Sequence, residues 1–466
     1  MPVDPEKSAD MEQYVRHYVI KADHYFISFI FVTYLNFIFM NELNIPETKN
    51  PRIVVIGGGF AGLKLAKHLR KKPYEVVLID KHNYHQFQPL IYQLATAGIE
   101  PSSISFPFRK IFQRSKNIHY RQTIVDSIDP EKNIITTSAG KLSYDYLVLA
   151  TGTISNYFGN DDVKKNSLIL KSVPDALYMR NQLLRNIELF STSGDPEEKE
   201  RLLNVAIAGG GPSGVEVAGT LAEMKKKIFP KDYPDTDFSK MRICLVEAAD
   251  RLLNTFSQKS SEKAKKYLEK LGVDVMLNTK VLGYDGKTVS LSTGELPTYN
   301  FLWAAGVRGK FPPGLNPDIV TRGNRLKVDR YNIVEGYGNI YAIGDVSSVT
   351  NDPKYPNGHP QLAQVAIQQG KNVAGNWERA RKKRPLKEFE YHDLGIMATI
   401  GRNLAVVELP FMKIYGIIAW FMWMFVHLMA ILGVKNKFFI FIDWVHSYFT
   451  FNPSSRLIIK QEREME

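Results

Sequence analysis

The most constraining feature of the sequence is a glycine pattern, G-x-G-x-x-G, that occurs twice. Each copy follows a short apolar run and precedes a helical pattern: residues 57–62 follow 53–56, and residues 209–214 follow 205–208. A strand that runs into such a turn and then into a helix begins a Rossmann-like dinucleotide-binding unit. The chain is therefore expected to be an α/β protein with two dinucleotide-binding domains, the second inserted in the first.

Each glycine of the pattern has a physical task. The first permits the tight turn, the second lets the backbone approach a pyrophosphate, and the third lets the helix pack closely against the strand. The helix N-terminus then offers free N–H groups and a partial positive charge to the phosphates. The predicted cofactor-binding glycines are Gly57, Gly59 and Gly62 in the first copy and Gly209, Gly211 and Gly214 in the second.

An acidic residue at the end of the second strand of each unit is expected to bind ribose hydroxyls. Asp80, with Lys81 beside it, has this place in the first unit, and Glu247 has it in the second, at a longer spacing. A carboxylate at Glu247 would repel a 2′-phosphate, which favours NADH over NADPH. Arg251, one helical turn later, weakens that inference if it points inward.

Three further predicted strands end at residues suited to touch a bound ligand. In open α/β sheets, ligands bind beyond the carboxyl ends of the strands. The predicted contacts are Thr151, Gly152, Gly306, Gly344 and Asp345. For Asp345 an alternative stays open, in which it only caps a helix that starts near Gln361.

These patterns give a domain layout in which the NADH-binding domain interrupts the FAD-binding domain. A short N-terminal extension precedes both, and apolar helices follow them. The predicted ranges are 1–50 for the extension, 51–170 with 323–404 for the FAD-binding domain, 171–322 for the NADH-binding domain and 405–466 for the C-terminal membrane-associated helices.

The charge and the cysteine content restrict the binding partners and the reactions that this chain can have. A net charge of +12 and a pI of about 9.3 suggest an acidic partner, either nucleic acid or an anionic membrane. Nothing resembles a nucleic-acid module, so no nucleic acid is expected. The single cysteine, Cys244, lies in an apolar strand, so no redox cysteine pair and no zinc or iron–sulfur site can form within the chain. Disulfide reduction and sulfide oxidation are thereby excluded, and a membrane-dissolved acceptor such as quinone is favoured.

The C-terminal sequence predicts attachment to a membrane. Residues 415–434 contain no charged side chain apart from His427, and residues 438–451 carry a narrow polar stripe. The second pattern is expected of a helix that lies in the membrane interface, with Trp444 and Tyr448 at headgroup depth. A true crossing at 415–434 stays open, as does a dimer interface or a buried core helix. The expected location is the cytoplasmic face of the inner membrane.

A second hydrophobic run covers residues 24–40 and is slightly shorter than a bilayer requires. It lacks the small-residue cleavage site of a secretory signal. Three interpretations are open: a membrane anchor, an uncleaved signal-like segment, or an added sequence upstream of a natural start at Met40.

Four longer motifs resemble those of the type II NADH dehydrogenases, the non-proton-pumping NADH:quinone oxidoreductases. They are residues 80–93, residues 214–216, residues 363–370 and residues 395–402. The resemblance covers residues 51 to about 457. It implies one FAD with NADH on one flavin face, and a quinone that approaches the other face from the membrane.

The same resemblance implies site residues. Glu216 would lie near the nicotinamide and the flavin, where it orients the ring or relays a proton. Gln364 and Gln368, four residues apart on one helix face, would hydrogen-bond a quinone carbonyl. Purely structural roles are also open. Glu216 would then be an acidic residue in the first helical turn that stabilises the helix, and the glutamines would belong to an ordinary polar helix face.

Two other functions remain open at this stage. One is a soluble NADH-dependent reductase of a protein electron carrier, and the other is a non-catalytic nucleotide-binding sensor. The expected partners are NADH, a membrane quinone and membrane lipid, with a homodimer left open.

Overall fold

The structure, a computed structural model, describes residues 43–450 and 456–458. The predicted hydrophobic run at 24–40 lies outside the described residues. The first glycine turn follows a strand of a five-stranded parallel sheet, whose inner strands are mostly apolar because they are buried on both faces. Its strands, in spatial order, are Ile340–Ala342, Tyr146–Leu149, Arg52–Ile56, Glu75–Asp80 and Ile118–Gln122.

A four-stranded parallel sheet contains the second glycine turn. Its strands, in spatial order, are Asp274–Met276, Ile243–Val246, Val205–Ala208 and Asn300–Trp303. The two sheets confirm the predicted fold class of two Rossmann-like units. The strand Ile340–Ala342 belongs to the first sheet although it follows the second in sequence, which agrees with an inserted domain. The domain boundaries themselves stay a prediction.

A short antiparallel pair joins the two units. Thr153–Ser155, which follows the first sheet, pairs with Val307–Gly309, which follows the second. The strands Tyr146–Leu149 and Asn300–Trp303 therefore each end only a few residues before one strand of this antiparallel pair. This pairing brings together the two edges at which ligands are expected.

Smaller antiparallel sheets and a set of helices complete the described fold. The remaining strands are Val125–Asp129, Ile134–Thr137 and Gly140–Ser143; Val281–Tyr284, Thr288–Leu291 and Gly294–Pro297; Val320–Thr321, Arg325–Val328 and Ser347–Val349; Tyr84–Gln86 and Ser105–Pro107; and Ile396–Gly401, Leu404–Leu409 and Met412–Tyr415. The α-helices are Phe60–Leu69, Ile91–Ala95, Pro101–Ile104, Phe108–Phe112, Asp161–Asn166, Val173–Thr192, Pro196–Leu203, Pro212–Lys227, Phe229–Asp232, Gln258–Leu271, Ala363–Arg381, Ile417–Ala430 and Val434–Thr450. Short 3₁₀ turns are Gln88–Leu90, Phe238–Lys240, Pro317–Ile319 and Gly344–Val346.

Two close backbone contacts fix how the later elements pack. On the helix Pro212–Lys227, a Cβ at Gly219 would collide with the carbonyl oxygen of Ile400, so the strand Ile396–Gly401 lies directly on that helix. On the helix Ala363–Arg381, a Cβ at Gly370 would meet the carbonyl oxygen of Ala61 at 2.5 Å. Both glycines allow an approach that any larger residue would prevent.

The C-terminal apolar run does not form one long helix. The helix Ile417–Ala430 ends before Gly433, which has a φ of 81°, and a second helix covers Val434–Thr450. None of the helices in the described part of the chain is both long enough and apolar enough to cross a bilayer. The alternative of a crossing at 415–434 is therefore wrong.

The expected headgroup position of Trp444 is also wrong, because this side chain points into the protein. Trp444 is 8% exposed, and its Nε1–H donates to Oε1 of Gln93 at 2.9 Å. Tyr448 lies against the ring of Trp420 and below the guanidinium of Arg402. Most of the side chains that the two helices leave exposed are apolar, and the exposed polar ones are Lys435, His446 and Thr450.

Candidate active site

The two glycine turns have nearly the same geometry. The N–H of Gly57 donates to the carbonyl of Ile79, and the N–H of Gly209 donates to that of Val246, both at 2.8 Å. Gly57 and Gly209 have φ values of 104° and 109°, which favour glycine. Around the second glycine of each pattern, Gly59 and Gly211, a Cβ would meet no atom within 4 Å. The backbone is open there to a bound group.

The two predicted acids are held in matching ways. Asp80 accepts the N–H groups of Gly58 and His82 at 2.7 and 2.8 Å. Glu247 accepts those of Gly210 and Ala249 at 2.6 and 2.8 Å. Burial raises the pKa of Asp80, against the lowering effect of these N–H donors. Each carboxylate is thereby fixed beside its glycine turn, where ribose hydroxyls are expected.

Lys81 and Arg251 contribute less than their neighbours to these turns. Lys81 is exposed, and its carbonyl accepts a hydrogen bond from Gln122 at 3.3 Å. The Arg251 guanidinium donates to the Gln258 side chain and to the Asn254 carbonyl at 3.2 and 3.0 Å. Arg251 is therefore engaged within its own loop.

The first turn has a buried support that sequence reasoning missed. His85 is 3% exposed, and its Nδ1 lies 2.9 Å from the carbonyl oxygen of Gly58. Burial lowers the pKa of His85 to about 4, so the imidazole is neutral. The ring of Phe108 fills the space beside Gly58 that a Cβ would need. A histidine in the 80–93 motif is visible in the sequence, but its target is not.

Gly344 and Asp345 begin a 3₁₀ turn, which is held in place by Gln369, a second residue that the sequence analysis did not identify. The side chain of Gln369, 1% exposed, accepts the N–H of Gly344 at 2.6 Å and the hydroxyl of Ser347 at 3.3 Å. The alternative in which Asp345 caps a helix near Gln361 is wrong, because that helix begins at Ala363 without a side-chain cap. Gln361 donates to the backbone carbonyl of Asp345 instead, at 3.1 Å.

Asp345 lies in a buried group of opposite charges. Burial raises the pKa of Asp345, while Lys171 and Arg325 act to lower it. Burial also lowers the pKa of Lys171, whose Nζ donates to Oγ1 of Thr153 at 3.0 Å. Lys171 lies two residues before the helix Val173–Thr192, so a cation from the start of the second unit reaches the edge of the first.

Thr151 and Gly152 follow the strand Tyr146–Leu149 as predicted. The Thr151 hydroxyl donates to the carbonyl of Lys310 in a short hydrogen bond. Gly152 has a φ of 66°, and a Cβ there would meet no atom within 4 Å. The backbone at Gly152, like that at Gly59, is therefore open to a bound group.

Gly306 follows the strand Asn300–Trp303 at the edge of the second sheet. A Cβ at Gly306 would lie 2.9 Å from the ring of Phe158, which comes from the loop after Thr153–Ser155. Gly306 is therefore a glycine because another side chain occupies the adjacent space.

Glu216 is a buried carboxyl group on the first turns of the helix Pro212–Lys227. Burial raises its pKa well above the ordinary glutamate value, although the N–H of Thr399 donates to it. Burial raises the pKa of the Tyr92 phenol, and a negative charge at nearby Glu216 would raise it further. Gln93 donates to the Tyr92 hydroxyl at 2.9 Å and accepts from Trp444. A chain of polar contacts thus runs from the last described helix toward Glu216.

Gln364 and Gln368 bind backbone rather than point freely into a site. Gln364 donates to the carbonyl of Gly395 at 3.0 Å and accepts from the N–H of Leu394 at 3.2 Å. Gln368 does the same with His392, at 2.9 and 3.0 Å. Asn372 and Asn376, four and eight residues further on, bind Lys387 in turn. We call Gln364, Gln368, Asn372 and Asn376 the amide ladder; it holds the segment 387–395 on the helix Ala363–Arg381.

Two family profiles match the chain. One, described as pyridine nucleotide-disulphide oxidoreductase, matches residues 51–370, and the other, described as NDH2 C-terminal domain, matches residues 394–451. The first name includes a disulphide chemistry that the single cysteine of this chain cannot perform.

Similar proteins are found among bacteria and plants. The type II NADH:quinone oxidoreductase Ndh of Mycobacterium tuberculosis is 32% identical over 90% of this chain and 93% of its own length. The internal alternative NAD(P)H-ubiquinone oxidoreductase A1 of Arabidopsis thaliana, a mitochondrial protein, is 29% identical over 88% of this chain and 86% of its own length. A solved structure of NDH2 from Plasmodium falciparum in complex with NADH has the same fold, with a TM-score of 0.80, at 23% identity over 88% of this chain and all of that one.

Proposed function

Since this chain belongs to the type II NADH:quinone oxidoreductase family, we propose that its first glycine turn holds FAD, that its second holds NADH, and that the electrons leave for a quinone in the membrane. The family assignment makes it a flavoprotein enzyme that transfers electrons from NADH to quinone. The observation that carries the assignment of residues is the antiparallel pair Thr153–Ser155 and Val307–Gly309, which sets the two ligand edges side by side.

The first site fits FAD. The open backbone at Gly59 suits the pyrophosphate and the Asp80 carboxylate suits the ribose hydroxyls, while Gly152 leaves further open space at the sheet edge. Asp345, on the turn held by Gln369, suits the ribityl chain. When bound, FAD accepts a hydride equivalent and passes on two electrons.

The second site fits NADH. The open backbone at Gly211 suits its pyrophosphate, and the Glu247 carboxylate suits the adenosine ribose. A carboxylate at this place repels a 2′-phosphate, and Arg251 is engaged elsewhere. We therefore expect NADH to be preferred over NADPH.

Glu216, Gln364 and Gln368 are the proposed residues of the quinone side. Burial raises the pKa of Glu216 well above the ordinary glutamate value, which favours the protonated carboxyl, and a carboxyl of this kind can hold a proton for the reaction. Gln364 and Gln368 would act by fixing the segment 392–395, because their amides already bind its backbone. Their task is then to shape the quinone site.

A two-step absorbance experiment tests this function. The full chain, purified in detergent, should show the flavin spectrum. Anaerobic NADH should bleach it, and a soluble quinone analogue should then restore it. A flavin that NADH bleaches and only a protein electron carrier restores would favour the soluble reductase, and a preparation without flavin would refute the assignment.

The amide ladder supplies a matched test of the quinone role. We expect Gln364→Ala and Gln368→Ala to slow the reoxidation of the flavin by quinone about tenfold or more, because the freed segment no longer shapes the site. Bleaching by NADH should stay near the wild-type rate. Asn372→Ala removes the same kind of contact further along the helix and should leave both steps unchanged. Equal loss of both steps in the glutamine variants would contradict the quinone role.

We also propose that the two C-terminal helices attach the protein to one leaflet. They expose large apolar side chains, which suits an apolar face sunk into the interface. The exposed residues are Ile417, Ile418, Phe421, Phe425, Val426, Met429, Val434, Phe438, Phe439, Phe441, Ile442, Val445 and Phe449.

Vesicle binding tests this attachment without disturbing the core. Changing Phe421, Phe425 and Phe449, which are 53%, 65% and 77% exposed, to Ser should weaken sedimentation with anionic vesicles about a hundredfold, from the lost burial of three rings. The control changes Leu189 and Leu282, which are 45% and 59% exposed on other elements, to Ser. A triple variant that still sediments like the wild type would place the anchor elsewhere in the chain.

A further inference from the structure

Phe158 has an unusual combination of properties. It is 68% exposed, and its φ of 52° lies in the left-handed region, where a bulky residue is rare. Three hydrogen bonds hold its loop: from the N–H of Phe158 to Oδ1 of Asn156 at 3.0 Å, from the N–H of Asn156 to the carbonyl of Gly306 at 3.0 Å, and from Nε1 of Trp303 to the carbonyl of Asn156 at 2.8 Å. The loop therefore imposes the strained backbone and displays the ring.

The strand order shows which part of a bound NADH lies nearest to this ring. Along the edge of the second sheet, Glu247 follows one strand, the Gly209 turn follows the next, and Gly306 follows the third. With the adenosine ribose at Glu247 and the pyrophosphate at the glycine turn, the nicotinamide half must extend toward Gly306. The Phe158 ring lies over Gly306.

The same point adjoins the flavin edge. Phe158 follows the strand Thr153–Ser155, which begins just after Gly152, and Gly306 precedes Val307–Gly309, its pairing partner. The ring thus stands at the junction of the two proposed ligand sites.

We propose that the Phe158 ring is a wall of the NADH site, which contacts the nicotinamide half and positions it toward the flavin. This inference rests on the proposed function, which places NADH at this edge. A mostly exposed ring gains little from packing within the protein, and strained residues persist where function requires the geometry. A ligand that covers the ring would account for both its exposure and its strained backbone.

The proposal predicts that removing the ring weakens NADH binding without lowering the stability of the protein. In Phe158→Asn the ring is removed while the left-handed backbone becomes easier, because asparagine accepts this conformation readily. The melting temperature should therefore be unchanged or higher, while the apparent Kd for NADH, taken from the rate of flavin bleaching, should rise about tenfold through the lost aromatic contact.

Two further variants complete the test on the full chain in detergent. Phe158→Tyr keeps the ring and should bind NADH like the wild type. Phe411→Asn removes a phenylalanine that is 81% exposed in the C-terminal sheet region and should change nothing. If Phe158→Asn fails to fold, Phe158→Gly, which also accepts the positive φ, replaces it.

The outcomes separate the inference from the function on which it rests. A wild-type flavin that NADH does not bleach would refute the proposed function itself. A wild type that is bleached, with Phe158→Asn showing an unchanged Kd, would refute the role of the ring. Equal weakening in the Asn and Tyr variants would also refute it, because the ring would not be the cause.

Discussion

The two nucleotide-binding turns have the same backbone but different surroundings. In each, the first glycine donates to the strand beside it at 2.8 Å, and an acid accepts an N–H from the middle of the turn. At the first turn the imidazole of His85 meets the carbonyl oxygen of Gly58 at 2.9 Å, and at the second the N–H of Leu253 donates to that of Gly210 at 2.8 Å. The two sites differ at the strand end beside each turn: the buried Gln369 holds Gly344 beside the first, whereas the exposed ring of Phe158 lies against Gly306 beside the second.

We propose that this difference separates a resident cofactor from an exchanging substrate. A site built from several buried segments can release its ligand only if those segments move, whereas a site with an exposed edge exchanges ligand easily. The glycine pattern itself is identical in both units. What distinguishes the proposed FAD site from the proposed NADH site is therefore the packing at the strand end beside each turn.

The largest expected effect comes from blocking each turn in the same way. Gly59→Val and Gly211→Val put a side chain into open space at an extended backbone position, so the fold should survive. Gly59→Val should abolish flavin content. Gly211→Val should retain the flavin, with bleaching by NADH slowed at least about a hundredfold by the collision with the pyrophosphate. Flavin absorbance per chain and the bleaching rate measure the two effects.

Circular dichroism controls for the fold of both variants. If Gly211→Val lost flavin and Gly59→Val kept it, the assignment of the two turns would be reversed. If both lost flavin, the contrast between resident and exchanging sites would not hold.

Removing the support of the Gly344 turn, which belongs to the proposed FAD site, should have the next largest effect. Gln369→Leu keeps the volume of a side chain that is 1% exposed but leaves the N–H of Gly344 without its acceptor. An unsatisfied buried group costs about 1–3 kcal/mol, so flavin should dissociate about ten- to a hundredfold faster. Gln368→Leu, the neighbouring residue, binds backbone at His392 instead and should retain flavin. Retention is measured by repeated dilution and filtration.

The sequence predicts what depends on local patterns. The glycine turns, the two acids and the strand ends at Thr151 and Gly306 follow from residues that are adjacent in the chain, and the structure shows them at the ends of parallel strands. Fold class and family were accordingly predictable. The roles of the individual site residues stay predictions.

The rest depends on contacts between distant segments. His85 and Gln369 act on backbone that lies 27 and 25 residues away. The spacing of Gln364 and Gln368 indicates one helix face, but it cannot show that the segment 392–395 occupies that face. Likewise, composition alone suggested a long apolar helix at 415–434, whereas the chain turns at Gly433.

Neutralising the two acids should produce a smaller and paired effect. Asp80→Asn and Glu247→Gln keep the shape of each side chain but remove the charge that we propose accepts ribose hydroxyls. We expect about tenfold weaker binding of flavin in the first variant and of NADH in the second, from the loss of charge-assisted hydrogen bonds. Glu247→Gln should also raise the rate with NADPH relative to NADH. An unchanged NADPH to NADH ratio would mean that Glu247 does not set the preference.

The smallest expected effect is on the pH dependence of stability, in which the two helices that follow the glycine turns should differ. Two residues after the third glycine, the first helix has Lys64, which is half-buried, and the second has the buried Glu216. Because burial raises the pKa of Glu216 in the folded chain, the folded chain keeps a proton that the unfolded chain releases once the pH exceeds the ordinary glutamate value. The free energy of unfolding should then fall as the pH rises, by up to about 1.4 kcal/mol per pH unit, until the folded pKa is passed.

Glu216→Gln removes this proton and tests the sign directly. The variant should match the wild type in stability at acidic pH, below the ordinary glutamate pKa, and exceed it increasingly at higher pH, as measured by denaturant unfolding at a series of pH values. Lys64→Gln, at the equivalent place in the first unit, should leave the difference between acidic and neutral pH unaltered. A wild type and a Glu216→Gln variant with parallel pH profiles would mean that the carboxyl ionises freely in the folded chain. It would then be a charged residue of an ordinary helix start, without the held proton that the quinone side requires.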